Sequence, residues 1–291
     1  MRRNGLAPTS LPDGRGSAGP RPLFLHPAPA HGNPAERRAL LQPAAAGKDS
    51  ALPLSRRSLG LAAASFPLAG QTAPARDAAL SFASGSVPIT VERFEAAGGG
   101  TRPAVILLHG ADGMTFPERY RSGARRIAAS GFHVFLVHYL NRTGERRASF
   151  SSLFRNFPAW SATVSDAIAW VGRQPGVSSA RIGLVGVSLG GSLALTAAAQ
   201  DSRVAVLVDY FGFVPEPFAA TVRRLPPTLI LHGAKDSIVP VANAYAVESL
   251  AKRTGTPYDL KVYADQGHGF YGAAERDADS RVAAFLDRHL G

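Results

Sequence analysis

Cysteine is absent from the 291 residues, and no apolar run approaches the ~18 residues that a membrane-spanning helix requires. The first absence excludes disulfides, thiolate metal sites and a cysteine nucleophile. The second leads us to expect no stable insertion into a membrane. The chain is 45% hydrophobic, which is enough apolar material for one large α/β domain or two small ones.

Acidic residues are fewer than basic ones, and the formal net charge is +11. Residues 1–75 hold nine Lys or Arg against three Asp or Glu, whereas residues 76–291 hold 23 against 18. No dense basic run with interleaved aromatic residues accompanies this excess. We therefore expect an arginine-rich solvated surface and no nucleic-acid partner.

The first 54 residues are rich in Pro, Gly, Ala and Arg and have neither a strand nor a helix period. This composition predicts a disordered leader over 1–54. No methionine occurs between Met1 and Met114. One hypothesis is that translation starts at a non-methionine codon near Leu52 or Leu54, so that the assigned start is wrong.

The segment SRRSLGLAAASFPLAGQTAPAR combines three features of an export signal in the expected order. Arg56 and Arg57 precede a weakly apolar stretch of 12 residues, 59–70, and Ala73 and Ala75 supply small residues before a cleavage point. The segment resembles a twin-arginine export signal. We therefore expect 55–75 to be a signal peptide read by export machinery, and the protein to be periplasmic or secreted. The alternative is an alanine-rich helix of the domain in a cytoplasmic protein.

Apolar strand-like runs alternate with helix-period segments through residues 76–291. Fully apolar strands between helices indicate βα units and a parallel sheet covered on both faces. We expect one domain over 76–291, with a doubly wound, mostly parallel sheet of about eight strands and helices on both faces. The strand-like runs are SVPITVERFEA, PAVILLHG, FHVFLVHYL, RIGLVGV, VAVLVDYFG, TLILHG and DLKVYAD.

One serine stands between glycines where a predicted strand meets a predicted helix, in the stretch GVSLGG. Gly186, Ser188 and Gly190 fit the G-x-S-x-G pattern of a nucleophile elbow, whose context is a strand followed by a helix. Such a turn projects the serine hydroxyl above the sheet at a helix N-terminus, where a developing negative charge is stabilised. Ser188 is therefore the candidate nucleophile.

Two further polar residues follow predicted strand ends in the order that a serine triad requires. Asp236 comes after TLILHG, and His268 lies in a glycine-flanked loop after DLKVYAD. Ligands bind at the carboxyl ends of parallel strands, so the three side chains are expected to meet, with His268 as base and Asp236 as its orienting acid. Asp209, at the end of another strand, is the alternative acid.

The candidate oxyanion donors are backbone amides. One is the N–H of Leu189, directly after the serine, and the other is expected in the glycine-rich loop after PAVILLHG, at Ala111. His109, at the same strand end, is interpreted as a structural hydrogen-bonding residue.

The segments PAVILLHGADG, GVSLGG, LHGAKDSIVP and GHGF, in this order and spacing, resemble the dienelactone hydrolase family of α/β-hydrolases. The resemblance covers roughly residues 85–291 and implies the α/β-hydrolase fold and ester or lactone hydrolysis. Dienelactone hydrolase itself has cysteine where Ser188 stands, a switching glutamate where Gly110 stands and a carboxylate-binding arginine where Gly272 stands. These departures argue against dienelactone itself as the substrate.

Five residues are candidates for the substrate pocket, as the fold would bring them near its mouth: Met114, Arg142, Phe213, Phe270 and Tyr271. The connection FGFVPEPFAATVRRLPP is too short to form a large lid. We therefore expect small to medium soluble substrates rather than long-chain lipids.

Taken together, the sequence predicts an exported serine hydrolase that cleaves small-molecule carboxylic esters or lactones through an acyl-enzyme, without a metal or organic cofactor. Two alternatives stay open. The same triad would serve a peptidase or a thioesterase, and a hydrolase scaffold can also serve a non-catalytic envelope binding protein.

Overall fold

The computed structural model describes residues 78–98, 100–216 and 218–291. The expected leader over 1–54 and the expected signal peptide over 55–75 lie outside the described residues. Among the helices that the structure describes, none combines the length and apolarity that crossing a membrane would need.

Eight strands form one sheet in the order β1-β2-β4-β3-β5-β6-β7-β8. Strands β3 to β8 run parallel to one another, whereas β2 pairs antiparallel with both β1 and β4. The expected mostly parallel sheet is therefore confirmed. The strands are β1 (Ala78–Ser84), β2 (Val87–Phe94), β3 (Arg102–Leu108), β4 (His133–Val137), β5 (Val177–Val187), β6 (Val204–Tyr210), β7 (Thr228–Gly233) and β8 (Tyr258–Tyr263).

Strand β1 has no counterpart among the strand-like runs found in the sequence. Its register with β2 places Ser84 opposite Val87, so that only Gly85 and Ser86 form the turn between them. Gly85 has φ +56°, which a two-residue hairpin turn requires and glycine adopts without strain. The turn thereby adds an edge strand in front of the predicted sheet.

Helices cover both faces of the sheet. One hydrophobic cluster includes side chains of α2, α3 and α5, and a second includes side chains of α1 and α6. Because the strands between them are buried on both faces, the sheet lies at the centre of the core. The helices are α1 (Pro117–Ala129), α2 (Phe150–Val171), α3 (Leu189–Gln200), α4 (Phe218–Thr221), α5 (Ala242–Thr254) and α6 (Ala273–Leu290).

Helix α2 begins seven residues before the segment FPAWSATVSDAIAWVGRQPG that predicted it. Ser149 caps the helix, since its hydroxyl accepts from the N–H of Ser152 and the Ser152 hydroxyl accepts in return. Pro158 therefore lies inside the helix, although proline is typical of a first turn. The reciprocal cap stabilises an N-terminal extension whose Phe150 and Phe154 are exposed.

Candidate active site

Ser188 occupies the single residue between the end of β5 and the start of α3. Its backbone has φ 55° and ψ −117°, a conformation that side-chain-bearing residues adopt only under strain. The Ser188 N–H donates to the Tyr210 carbonyl at 2.8 Å, and the Ser192 N–H donates to the Ser188 carbonyl at 3.1 Å. The strained turn is thus anchored to β6 on one side and to the first turn of α3 on the other.

The glycines around Ser188 are required by close packing of backbone. A Cβ on Gly186 would collide with the backbone of Gly190, and a Cβ on Gly190 would collide with the carbonyl oxygens of Leu108 and His109 at the end of β3. Glycine at both positions lets β5, α3 and β3 converge at one point. The serine hydroxyl therefore projects at the carboxyl edge of the sheet.

His268 links the serine to an acid. Its Nε2 lies 2.9 Å from the Ser188 Oγ, and its Nδ1 lies 2.7 Å from the Asp236 Oδ2. Since an ionised carboxylate only accepts hydrogen bonds, Nδ1 donates to Asp236, and in a neutral ring Nε2 would then accept from the serine hydroxyl. The three residues predicted from the sequence thus form one continuous hydrogen-bonded chain.

The Asp236 carboxylate is held by the loop that follows β7. Its side chain is fully buried, and its Oδ1 accepts from the N–H groups of Ile238 and Val239, each at 2.9 Å. Burial alone would raise the pKa of Asp236, but the hydrogen bonds from His268 and from the backbone outweigh it, and the pKa is lowered. Asp236 is therefore ionised.

His232 supports the same loop from inside the fold. Its side chain is fully buried, and its Nε2 donates to the Val239 carbonyl at 2.8 Å while lying 3.5 Å from Asp236 Oδ2. Burial lowers the pKa of His232, so this ring is neutral and adds no second positive charge beside the carboxylate.

Asp209, the alternative acid, lies elsewhere in the site. Its Oδ1 accepts from the Gly212 N–H at 3.0 Å, and its Oδ2 has no hydrogen-bond partner among the described residues. A Cβ on either Gly191 or Gly212 would collide with this carboxylate, so Asp209 is packed beneath the elbow. Burial raises its pKa to about 7, only partly offset by the Gly212 N–H.

The loop between β3 and α1 is fixed beside the nucleophile. The Tyr120 hydroxyl accepts from the Gly110 N–H at 3.0 Å and donates to Asp112 Oδ1 at 2.5 Å. The Ala111 carbonyl accepts from the Ala148 N–H at 2.8 Å. A Cβ on Gly110 would lie 3.5 Å from the Ser188 Cβ. This loop therefore borders the serine and is braced from both sides.

His109 occupies the structural role that the sequence suggested. It is buried, its Nδ1 bonds the Gly110 carbonyl at 2.8 Å, and its ring stacks on Tyr139 with centroids 4.3 Å apart. Burial lowers the pKa of His109 to about 4, so the ring is neutral at physiological pH.

Ser188 and His268 line a cavity of about 640 Å³. Of the residues predicted for the substrate pocket, Phe270 and Tyr271 line it. The other three are placed differently. Arg142 donates to the Ser84 carbonyl at 2.9 Å, Phe213 packs on Phe157, and Met114 packs on the α1–α6 core.

Sequence reasoning missed several residues of the site. Phe211 has φ 42° and places its ring 4.6 Å from that of His268, and Phe116 and Ile238 line the cavity while largely exposed. Tyr120 braces the loop after β3 from a position ten residues beyond Gly110. Only Phe211 could have been identified from the sequence as a site residue. It lies beside Gly212 directly after a strand, and ligands bind at the carboxyl ends of strands in parallel sheets.

Comparisons with known proteins identify the family and the fold. The profile of the dienelactone hydrolase family matches residues 93–288. A predicted carboxymethylenebutenolidase of Methylorubrum extorquens is 26% identical over 250 residues, covering 75% of this chain and 84% of that protein. One of Yersinia pestis is 23% identical over 188 residues, covering 59% of this chain and 69% of that protein.

Among solved structures, a dienelactone hydrolase-like promiscuous phosphotriesterase from metagenomic libraries is similar with a TM-score of 0.64 and 20% identity. The match covers 74% of this chain and 98% of that one. Strand order, helix placement and this likeness define an α/β-hydrolase fold. The family profile spans more than half of the sequence, and the chain belongs to the dienelactone hydrolase family.

The first prediction concerns the elbow glycines. Gly190→Ala should lower the free energy of unfolding by about 2–3 kcal/mol, because the new methyl collides with backbone carbonyls that cannot rotate away. Gly123→Ala, in α1, is the matched control, since a Cβ there meets nothing within 4 Å. It should gain about 0.5–1 kcal/mol through helix propensity. Urea unfolding measures both; equal effects at the two positions would contradict the steric account.

The second prediction concerns the buried carboxyl of Asp209. Its pKa of about 7 in the folded protein exceeds the ordinary value near 4. Between these values the unfolded chain has lost its proton and the folded protein has kept it, so stability falls as pH rises, by up to ~1.4 kcal/mol per pH unit. Asp209→Asn should remove this contribution when unfolding is compared at pH 5 and 7.5.

Asp201→Asn is the control for that comparison, because the hydrogen bond from Arg203 lowers the pKa of Asp201. A carboxyl with a lowered pKa changes stability only below pH 4, so this variant should follow the pH dependence of the wild type. A wild-type pH dependence that persists in Asp209→Asn would refute the assignment.

Proposed function

We propose that this protein is a serine hydrolase that cleaves carboxylic esters or lactones. The observation that carries the proposal is the hydrogen-bonded chain from Asp236 through His268 to Ser188, which ends in the wall of a cavity. The lowered pKa of Asp236 keeps the acid ionised, and the two ring nitrogens of His268 face the acid and the nucleophile, as a base between them must.

In the proposed reaction the Ser188 Oγ attacks the substrate carbonyl carbon while His268 Nε2 takes the hydroxyl proton. Asp236 stabilises the resulting imidazolium and keeps its Nδ1–H oriented. His268 then gives the proton to the leaving alcohol oxygen, and the acyl group stays on Ser188. A water attacks this acyl-enzyme, with His268 again as base, and releases the acid and the free serine.

The tetrahedral intermediates carry a negative oxygen that needs donors. We assign this role to the N–H groups of Leu189 and Ala111. Leu189 is the first residue of α3, so its N–H has no acceptor within the helix. Ala111 lines the cavity and lies in the braced loop beside Ser188. A preorganised pair of donors of this kind contributes about 10²–10³-fold in kcat per donor.

The substrate is a small molecule, as the family membership implies. Phe270 and Tyr271 at the cavity provide apolar contact surface for it. An ester distinct from dienelactone is favoured, because serine stands where the family's eponymous enzyme has cysteine. Gly110 has no side chain that could act as the switching glutamate.

The third prediction tests the triad. Ser188→Ala should lower kcat/KM for p-nitrophenyl acetate by roughly 10⁶-fold and Asp236→Asn by roughly 10⁴-fold, since the first change removes the nucleophile and the second leaves His268 without its orienting acid. Asp209→Asn is the control, because it changes the other buried acid of the site and should retain most of the activity. A fluorophosphonate probe should label the wild type and leave Ser188→Ala unlabelled.

The contrary outcomes are distinct. Full activity in Ser188→Ala would remove the nucleophile assignment, and loss of activity in Asp209→Asn with retention in Asp236→Asn would exchange the acids. Circular dichroism of each variant separates lost chemistry from lost fold. A parallel series of amide and thioester substrates would show a preference for another acyl donor through a higher kcat/KM.

We also propose that residues 55–75 direct export by the twin-arginine route. The support is the paired Arg56 and Arg57, the apolar stretch 59–70 and the small residues before Arg76.

The fourth prediction is that the native exported protein begins at Arg76 and that replacing Arg56 and Arg57 with lysine retains it in the cytoplasm. N-terminal sequencing and cell fractionation measure the two effects. A mature protein that keeps residues before Arg76, or unchanged export of the double-lysine variant, would overturn the proposal. Ser188→Ala, which leaves the leader intact, is the control.

A further inference from the structure

We propose that the space between α1 and α6 binds a medium-length apolar arm of the ester substrate. This inference rests on the proposed function, because the apolar arm belongs to the same ester that Ser188 is proposed to cleave. We call this part of the cavity the α1–α6 groove. Its floor is formed by Leu107 and Val185 of the sheet, one wall by α1 and the other by α6.

The groove is continuous with the candidate catalytic residues. Ser188 and His268 line the same cavity as Phe116, which precedes α1, and Ser130, which follows it. The cavity therefore follows the whole length of α1, whose 13 residues span about 20 Å. Because α1 starts at the carboxyl edge of the sheet and runs back along it, the groove leads away from the serine.

Small side chains create the groove. Helix α1 contributes Gly123, at which an added Cβ would meet nothing within 4 Å, and α6 contributes Ala278 and Ala283. Glycine in a helix interior is less favourable than alanine, and here it stands where a larger residue would fill the space. The side chains of the two helices therefore leave open space over an apolar floor.

The chemistry of the lining fits a hydrocarbon chain. Val187 and Ile127 add to the apolar surface near the floor and along α1, and the exposed Phe116, Ile238 and Tyr271 surround the mouth. The ion pair from Arg126 Nε to Asp279 Oδ2, at 3.0 Å, joins the two helices at the partly exposed side of the groove. Water-facing charges thus remain at the rim.

A cavity of this size exceeds what an acetyl group needs. Its volume of about 640 Å³ falls within the range of sites that enclose whole small molecules. Each methylene moved from water onto such an apolar surface strengthens the binding of the substrate. An extended acyl or alkyl chain would gain most, because it follows the groove along α1. The short connection after β6 forms no large lid, so the groove itself supplies the apolar surface.

The fifth prediction uses two adjacent alanines of α6. Ala283 is half-buried in the groove wall, whereas Ala284 is exposed and does not line it. Ala283→Phe should lower the ratio of kcat/KM for p-nitrophenyl decanoate to that for p-nitrophenyl acetate at least tenfold. Ala284→Phe makes the same change of composition one residue away and should keep the wild-type ratio. Gly123→Phe, on the opposite wall, should act like Ala283→Phe.

A second series distinguishes the two arms of an ester. The same variants are assayed with decyl acetate against ethyl acetate, so that the long chain is on the alcohol side. A lower ratio of kcat/KM for the long-chain over the short-chain ester in either series supports the proposal. The series in which the ratio falls shows whether the groove binds the acyl or the alcohol arm. Equal ratios for Ala283→Phe and Ala284→Phe in both series would overturn the proposal.

Direct binding separates the groove from the chemistry. N-phenyl-1-naphthylamine, a neutral fluorophore that brightens in apolar cavities, should bind the full-length Ser188→Ala protein, and adding Ala283→Phe should weaken binding at least fivefold. If the wild type cleaves no ester, the proposed function fails and this assay still decides the groove. Unchanged binding of the fluorophore in the Ala283→Phe protein would overturn the proposal. It would also be overturned if Ala283→Phe dissociated a dimer of the protein, because the groove would then be a subunit interface.

Discussion

The buried negative charge of Asp236 is the interaction on which the rest of the candidate site depends. A carboxylate without water is costly unless donors surround it, and here two backbone N–H groups and the His268 ring supply them. The donors belong to the loops after β7 and β8, so the charge holds two strand ends together. The orientation of His268, and with it the contact to Ser188, follows from satisfying that charge.

A second constraint comes from close backbone packing around the serine. The turn after β5 touches the end of β3, while the loop after β3 is braced by Tyr120 and Asp112. These contacts place the nucleophile and the assigned oxyanion donors on rigid elements rather than on free loops, which is what preorganised stabilisation of a developing charge requires. Farther from the serine the packing is looser, since small residues leave open space between α1 and α6.

Much of this arrangement could be predicted from the sequence, because apolar strands end in loops whose polar residues are few and ordered. Ser188, Asp236 and His268 each follow a buried run, and a parallel sheet brings such ends together. Strand β1 escaped notice because AALSFAS is poor in β-branched residues and depends on pairing with β2. The start of α2 was hidden by Pro158, and its cap needs the reciprocal bond of Ser152. Arg142 was misplaced because its partner, the Ser84 carbonyl, is 58 residues away in sequence.

The strained backbone at Ser188 has a consequence for how this lineage could change its chemistry. The conformation is imposed by neighbouring glycines and by hydrogen bonds of the main chain, none of which involves the serine hydroxyl. The turn therefore does not depend on the oxygen of the Ser188 side chain. A single Ser188→Cys substitution could place a thiol at the same position without a change of fold. Exchange between serine and cysteine at this position therefore needs only one substitution in the family. Whether the new side chain is an active nucleophile then depends on the residues around the turn.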